Sequence, residues 1–382
     1  MTTAPSNRPE FDADEILDGI RQWVMVESPT SSPDGVNRMM DLAGEAMATL
    51  GADIDRQPGG TDYGDVVRAK ISGHGDGPGI LVLGHLDTVH LKGTLAGDLP
   101  WSRQGDKVFG PGIYDMKGGM YNAYYALRQV LRAGGRPKLP VTFLFIPNEE
   151  VGSPTTRALI EAEAANHAYV LVPEPAKGED GNLVTGRFAF ARFTIHARGR
   201  PAHAGSTLAR GRSAIAEISR QVLAIEALSD TERGVTYSVG VIEGGTFVNV
   251  VPTHCTAEVL AVAPSEQALA DVQATMMTLK AINPEIKLTI VPGPVRPLFE
   301  ANEGVMALYG KAEVIAQNLG FTPGHGSFGG GSDGNFTGAL GIPTLDGLGL
   351  CGDGAHTHDE HILYSSLVPR ARLLAGLFET LG

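Results

Sequence analysis

The sequence predicts an α/β fold: a mixed, mostly parallel sheet flanked by helices, interrupted by an inserted α+β domain. Three observations lead there. The runs ILVLG, VTFLFIP and AYVLVP are short and almost continuously apolar, as in strands buried on both faces of a parallel sheet. Helical stretches of amphipathic pattern lie among them, which argues for an open α/β sheet. Near residue 186 the pattern changes to strict alternation, which marks strands with one wet face.

In chain order, DEILDGIRQWVMV and NRMMDLAGEAMATLG read as amphipathic helices, the second stopped by Gly51. GGMYNAYYALRQVLRAGG, between the first two apolar runs, reads as a helix closed by glycines. RFAFARFTIHARG then alternates as a strand, SAIAEISRQVLAIEALS as a helix follows, and GVTYSVGVIEGG and HCTAEVLAVA are two more strands. SEQALADVQATMMTLKAI reads as a helix and EIKLTIVPG as a last strand. The order β-α-β-β-α-β is the ferredoxin-like unit. Residues 187–294 are therefore expected to form a domain inserted into a larger one made of 1–186 and 295–382. The larger domain resumes with a helix near EGVMALYGKAEVIAQNLG, a glycine-dense loop GHGSFGGGSDGNF, the stretch GIPTLDGLGL and a helix SSLVPRARLLAGLFETL.

Composition narrows the function. A 382-residue chain that is 42% hydrophobic can bury more than one core. A net charge of −13 repels nucleic acid and anionic membrane, yet a local basic group could still hold a small anionic substrate. Two cysteines, Cys255 and Cys351, are too few for a disulfide framework. The start MTTAPSNRPEFDADE lacks the basic and apolar regions of a signal peptide, and no apolar run has membrane-spanning length. A cytoplasmic setting is the expectation.

The chemistry gathers where the apolar runs stop. His85 and Asp87 follow ILVLG, Glu149 and Glu150 follow VTFLFIPN, and Glu174 follows AYVLVP. Asp115 stands just before the helix that starts near Gly118. Carboxyl ends of parallel strands share one rim of a sheet, so these groups should converge. So many carboxylates together would repel one another unless a cation joined them. Mixed nitrogen and oxygen donors suit zinc, with manganese or cobalt as alternatives. Asp87 can accept the second ring N–H of His85 and fix its orientation. Each residue alone has a plainer reading: His85-x-Asp87 as a turn, Asp115 as a helix cap, the Glu149-Glu150 pair as a helix start, Glu174 as a solvated loop acid.

GHLDTV, GPGIYDMKGGM, PNEEVGS, PEP and GAHTHDEHI, in that order, resemble the dinuclear zinc metallopeptidases of the glutamate carboxypeptidase G, acetylornithine deacetylase and succinyl-diaminopimelate desuccinylase family. The resemblance implies that His85 and Glu174 bind one zinc, Glu150 and His356 the other, and that Asp115 bridges them. It makes Asp87 the orienter of His85, and Glu149 the general base. The family motif has its histidine ligand four residues before a glutamate, so the resemblance points to His356, four before Glu360, over its neighbours His358 and His361, which are expected to be solvated. By the same resemblance the inserted domain is a lid and homodimerisation surface, on which His203 in GRPAHAG reaches the active site of a partner subunit. Asn249 in GGTFVNVVP and Arg296 in GPVRPLFE would contact substrate, the guanidinium gripping an α-carboxylate. Surface histidine, turn amide and interdomain ion pair are the plainer readings of these three.

The implied activity is cleavage of an amide bond next to a free C-terminal amino acid. A deacetylase of acetylornithine type and a di- or tripeptidase are the alternatives. A serine hydrolase is a remote rival: Gly330-x-Ser332-x-Gly334 fits the nucleophile pattern, but no apolar run precedes it. Dinucleotide and phosphate-loop motifs do not occur.

Overall fold

The computed structural model describes residues 10–75 and 77–382; residues 1–9 of the stretch read above for a leader lie outside them. The apolar runs form the strands their composition predicts. Gly79–His85 is buried along its whole length, as is Val141–Ile146. The two run parallel, Val82 opposite Phe143 and His85 opposite Ile146. His167–Leu171 flanks Gly79–His85, also parallel, and Thr344–Leu345 continues the sheet on that side. On the other side Val66–Ile71 and Asp53–Gln57 add antiparallel pairs, so the sheet is mixed. These two strands had no clear signature: Asp53–Gln57 is exposed throughout.

Helices cover the sheet. Ala13–Val24 starts on Asp12, whose carboxylate accepts the N–H groups of Asp14 and Glu15, and it buries Ile16, Ile20, Trp23 and Val24. Pro33–Thr49 starts on the Ser32 hydroxyl, which accepts the Gly35 N–H. Trp23 packs edge-on against Tyr121 and Phe145, ring centroids 5.3 and 6.3 Å away. Helix Gly118–Arg132 comes so close to the chain before Glu174 that a Cβ on Gly119 would lie 1.9 Å from the Pro173 carbonyl oxygen. Only glycine permits that approach.

The chain divides into two compact units. One reaches to Gly186 and resumes over Phe299–Phe328 and Ser332–Gly382; the other comprises Arg187–Leu298 and Gly329–Gly331. The second has an antiparallel sheet in the order Thr236–Gly244, His254–Ala263, Ala189–Arg198, Lys287–Arg296. Helices Ala214–Glu226 and Glu266–Met277 complete the β-α-β-β-α-β order. Its apolar residues alternate: Ala189, Ala191, Phe193, Ile195 and Ala197 are buried. The last strand runs past the expected Gly293 to Arg296, through an irregularity between Pro292 and Val295.

The glycine-dense loop is more ordered than its composition predicts. It contains the strand His325–Phe328, paired with Leu183–Arg187, and the helix Gly334–Ala339. A further small sheet was not foreseen, because its strands have two or three residues each: Gly352–Asp353, His361–Leu363, Lys107–Phe109, Ser102–Gln104. No described helix is long and apolar enough to cross a membrane.

Candidate metal centre

Three parallel strands and one hairpin deliver the site. His85 ends its strand. Glu149 and Glu150 form a 3-10 turn just beyond Val141–Ile146, and Glu174 follows His167–Leu171. The small sheet brings in the rest. His361 lies opposite both Asp353 and Phe109. The hairpin that carries His356 is thereby held against the strand that leads to Asp115.

The side chains meet closely. His85 Nε2 lies 3.1 Å from Asp115 Oδ1, 3.6 Å from Glu174 Oε1 and 4.0 Å from Glu149 Oε2. His356 Nε2 lies 3.1 Å from Glu150 Oε2 and 3.3 Å from Asp115 Oδ2. The Asp115 carboxylate thus stands between two imidazoles and offers one oxygen to each. The Asp115–Met116 peptide is cis, and His356 has φ +64°. That left-handed conformation is uncommon for a residue other than glycine and collects at functional sites. Asp115 is no helix cap, since Lys117 precedes the helix Gly118–Arg132.

The electrostatics suit a cation held among these side chains. Burial pushes the Glu150 carboxyl up, with Asp115 and Glu149 adding to the shift. Burial also pushes Asp115 up, but hydrogen bonds to His356 and His85 prevail and hold it well below the usual range. His356, paired with Asp115 and Glu150, is raised to about 11. His85 is raised well above its ordinary value despite its burial, through Asp115 and Asp87. Glu150 Oε1 is buried and has no hydrogen-bond partner, as expected of an oxygen kept for a metal. One donor atom each from His85, Asp115 and Glu150 lies within 4.8 Å of the others.

Asp87 does more than the sequence predicts. His85 Nδ1 is 2.9 Å from the Asp87 main-chain oxygen and 3.4 Å from its carboxylate, so the carbonyl is the nearer orienter. The carboxylate accepts the Thr30 hydroxyl at 2.6 Å and the N–H groups of Glu149 and Glu150 at 3.2 and 3.3 Å. It therefore fixes the turn that carries both glutamates. Arg370, buried, supports Glu174 from behind: its Nε donates to Gly349 O at 2.6 Å, and Gly349 N–H donates to Glu174 O at 2.9 Å. Neither arrangement has a local signal, because the partners are far apart in sequence.

The other predicted residues belong to the smaller unit. His203 is exposed, and its Nδ1 accepts the N–H groups of Gly205 and Ser206 at 3.1 and 3.2 Å. Ala204 N–H donates to Asn249 O at 3.0 Å, so His203 and Asn249 are neighbours. Arg296 ends the strand Lys287–Arg296, opposite Phe190. Of the alternatives to His356, His358 is exposed. His361 is buried, contrary to expectation, because its strand pairs on both sides. Ser332 is buried and donates to Asp346 Oδ2 at 2.6 Å. Its hydroxyl is bound to a carboxylate, where a serine nucleophile would have an imidazole.

The model of peptidase family M20/M25/M40 matches residues 81–380. Carboxypeptidase G2 of Pseudomonas sp. (strain RS-16) is 31% identical over 370 residues, covering 94% of this chain and 87% of its own length. Among solved structures, the family M20 metallo-carboxypeptidase Sso-CP2 of Sulfolobus solfataricus superimposes with a TM-score of 0.72 at 16% identity, covering 96% of this chain and 99% of its own. The dipeptidase Dug1p of Saccharomyces cerevisiae gives 0.74 at 14%, with 96% and 95% covered. At such identities the two structures bear on fold alone.

Proposed function

This chain belongs to peptidase family M20/M25/M40, whose members are metallopeptidases acting on amide bonds, and from that premise we propose that it cleaves the amide bond next to a free C-terminal amino acid, using two divalent metal ions, zinc first among them. The observation that carries this reading is the Asp115 carboxylate between His85 and His356, the placement of a bridging ligand. His85 and Glu174 would complete one site, Glu150 and His356 the other. Bound there, the ions would supply a water of lowered pKa and polarise the scissile carbonyl.

The chain's own residues do the rest. Glu149 takes the proton from the attacking water and returns it to the leaving nitrogen. Asp87 holds the Glu149 backbone and so aims its carboxylate. His203 accepts two N–H groups at Nδ1, which leaves its proton on Nε2. It can therefore donate to the oxyanion that forms at the carbonyl. Asn249, beside it, contacts substrate, and the Arg296 fork holds the α-carboxylate. We take the smaller unit as the lid and homodimerisation surface.

The test is turnover of N-acyl-amino acids, dipeptides and their α-amides by chelator-treated protein resupplied with zinc, cobalt or manganese. The expected result is hydrolysis restored by metal, confined to substrates with a free α-carboxylate, a preference that Arg296→Ala abolishes. Equal turnover of the α-amides would overturn the carboxylate requirement, and full activity without metal would overturn the metal reading.

A further inference from the structure

We propose that Glu360 is a positioning residue for Asp115, locked in place by His90, and that this pair joins the three loops from which the metal centre is built. The proposal rests on the metal reading above. Glu360 is 1% exposed, and its carboxylate meets four donors. Oε1 accepts the N–H groups of Tyr114 at 2.8 Å and Asp115 at 3.0 Å. Oε2 accepts the Gly112 N–H at 3.0 Å and lies 2.6 Å from His90 Nε2. Gly110 N–H reaches the Glu360 main-chain oxygen at 3.4 Å.

The segment that carries Asp115 needs such an anchor. Gly112 has φ +69°, and Asp115 and Met116 lie outside helical geometry within an otherwise helical turn. An irregular backbone has no ladder to hold it, so its N–H groups must find acceptors elsewhere. Here three of them share one carboxylate. The origin of that carboxylate matters as much as its contacts. Glu360 stands in the hairpin of His356, and His90 follows His85 and Asp87 in the loop beyond the strand Gly79–His85. One side chain thus spans the loops of His85, Asp115 and His356. If Asp115 is to share its two oxygens between two ions, its backbone must not drift, and Glu360 is what holds it. Outer partners of this kind tune affinity at metal sites.

In Glu360→Gln one acceptor oxygen becomes an amide NH2, which faces N–H groups it cannot accept. Zinc affinity of metal-stripped protein, read by competition with a chromophoric chelator, should fall by about 10–100-fold. The melting temperature of the zinc-free variant should stay within a few degrees of wild type, and kcat at saturating zinc should largely recover. A purely structural role would lower the melting temperature and leave the affinity of the folded protein unchanged, which would overturn the proposal. If Glu360→Gln does not fold, His90→Leu, which removes one donor only, should weaken zinc binding several-fold; wild-type affinity there would overturn it equally. Wild-type protein that binds no zinc would overturn the metal reading and this proposal with it. Wild-type protein that binds zinc beside a variant that binds it equally overturns the positioning role alone.

Discussion

The central sheet and the sheet of the smaller unit use the same amino-acid types to opposite ends. Gly79–His85 and Val141–Ile146 are buried at every residue, so, apart from Thr142, whose hydroxyl meets His167 Nε2 at 3.0 Å, their polar groups stand at or beyond their ends. Ala189–Arg198 alternates, with Arg192 and His196 exposed between buried neighbours. Its whole wet face is available, and no single end is privileged. Burial on both faces thus concentrates function, and burial on one face spreads it. That is why His85, Glu149, Glu150 and Glu174 gather on one rim, while His203, Asn249 and Arg296 come from separate turns and strand ends.

The contrast can be broken first at the rim. Glu149→Gln should keep its metal, by elemental analysis, and lose about 10²–10⁴ in kcat; near-normal turnover of metal-replete variant would remove the base from Glu149. Next comes each sheet's own core. Phe143→Ala and Phe193→Ala should each cost about 3–5 kcal/mol by denaturant titration, since both rings are buried. Only the first should also weaken zinc binding, because only its strand ends at the centre; equal effects on zinc would mean that the two sheets do not divide the work.

Smaller effects sharpen the picture. Ser332→Ala leaves Asp346 short of a donor and should cost about 1–3 kcal/mol of stability with turnover retained; lost turnover in stable protein would revive the serine. The smallest effect is a proton count. Asp115 and Glu150 raise His356 to about 11, so if His356 is a ligand, zinc must displace its proton at pH 7. Calorimetry in buffers of different ionisation enthalpy should show proton release on binding, and none would contradict the ligand role of His356. The sign for stability follows. A raised histidine stabilises the metal-free fold fully below its unfolded value of about 6.5, and that contribution is lost as pH rises toward about 11. The metal-free protein should therefore melt lower at pH 10 than at pH 7, while zinc affinity rises over the same interval.

What could be read from sequence was what has a local cause. Apolar runs gave the buried strands, their ends gave the rim, and alternation gave the ferredoxin-like order. What could not be read depends on register between distant segments. His361 looks like one of several loop histidines until its strand pairs with Phe109. Asp87 looks like a partner for His85, yet its carboxylate goes to main-chain N–H groups some sixty residues on. Glu360 served as a landmark for locating His356, and nothing near it revealed that it gathers N–H groups from Gly112 to Asp115. Asp53–Gln57 has no apolar stripe, and the helix Gly334–Ala339 is hidden among glycines.

Arg370 sets the order in which the molecule can be finished. It lies in the helix Leu367–Thr380 and donates to the carbonyl oxygens of Gly181, Gly347 and Gly349. During synthesis Arg187–Leu298 leaves the ribosome as an unbroken stretch and can fold while translation continues. The loop behind Glu174 gains these bonds only when a guanidinium made almost two hundred codons later has emerged.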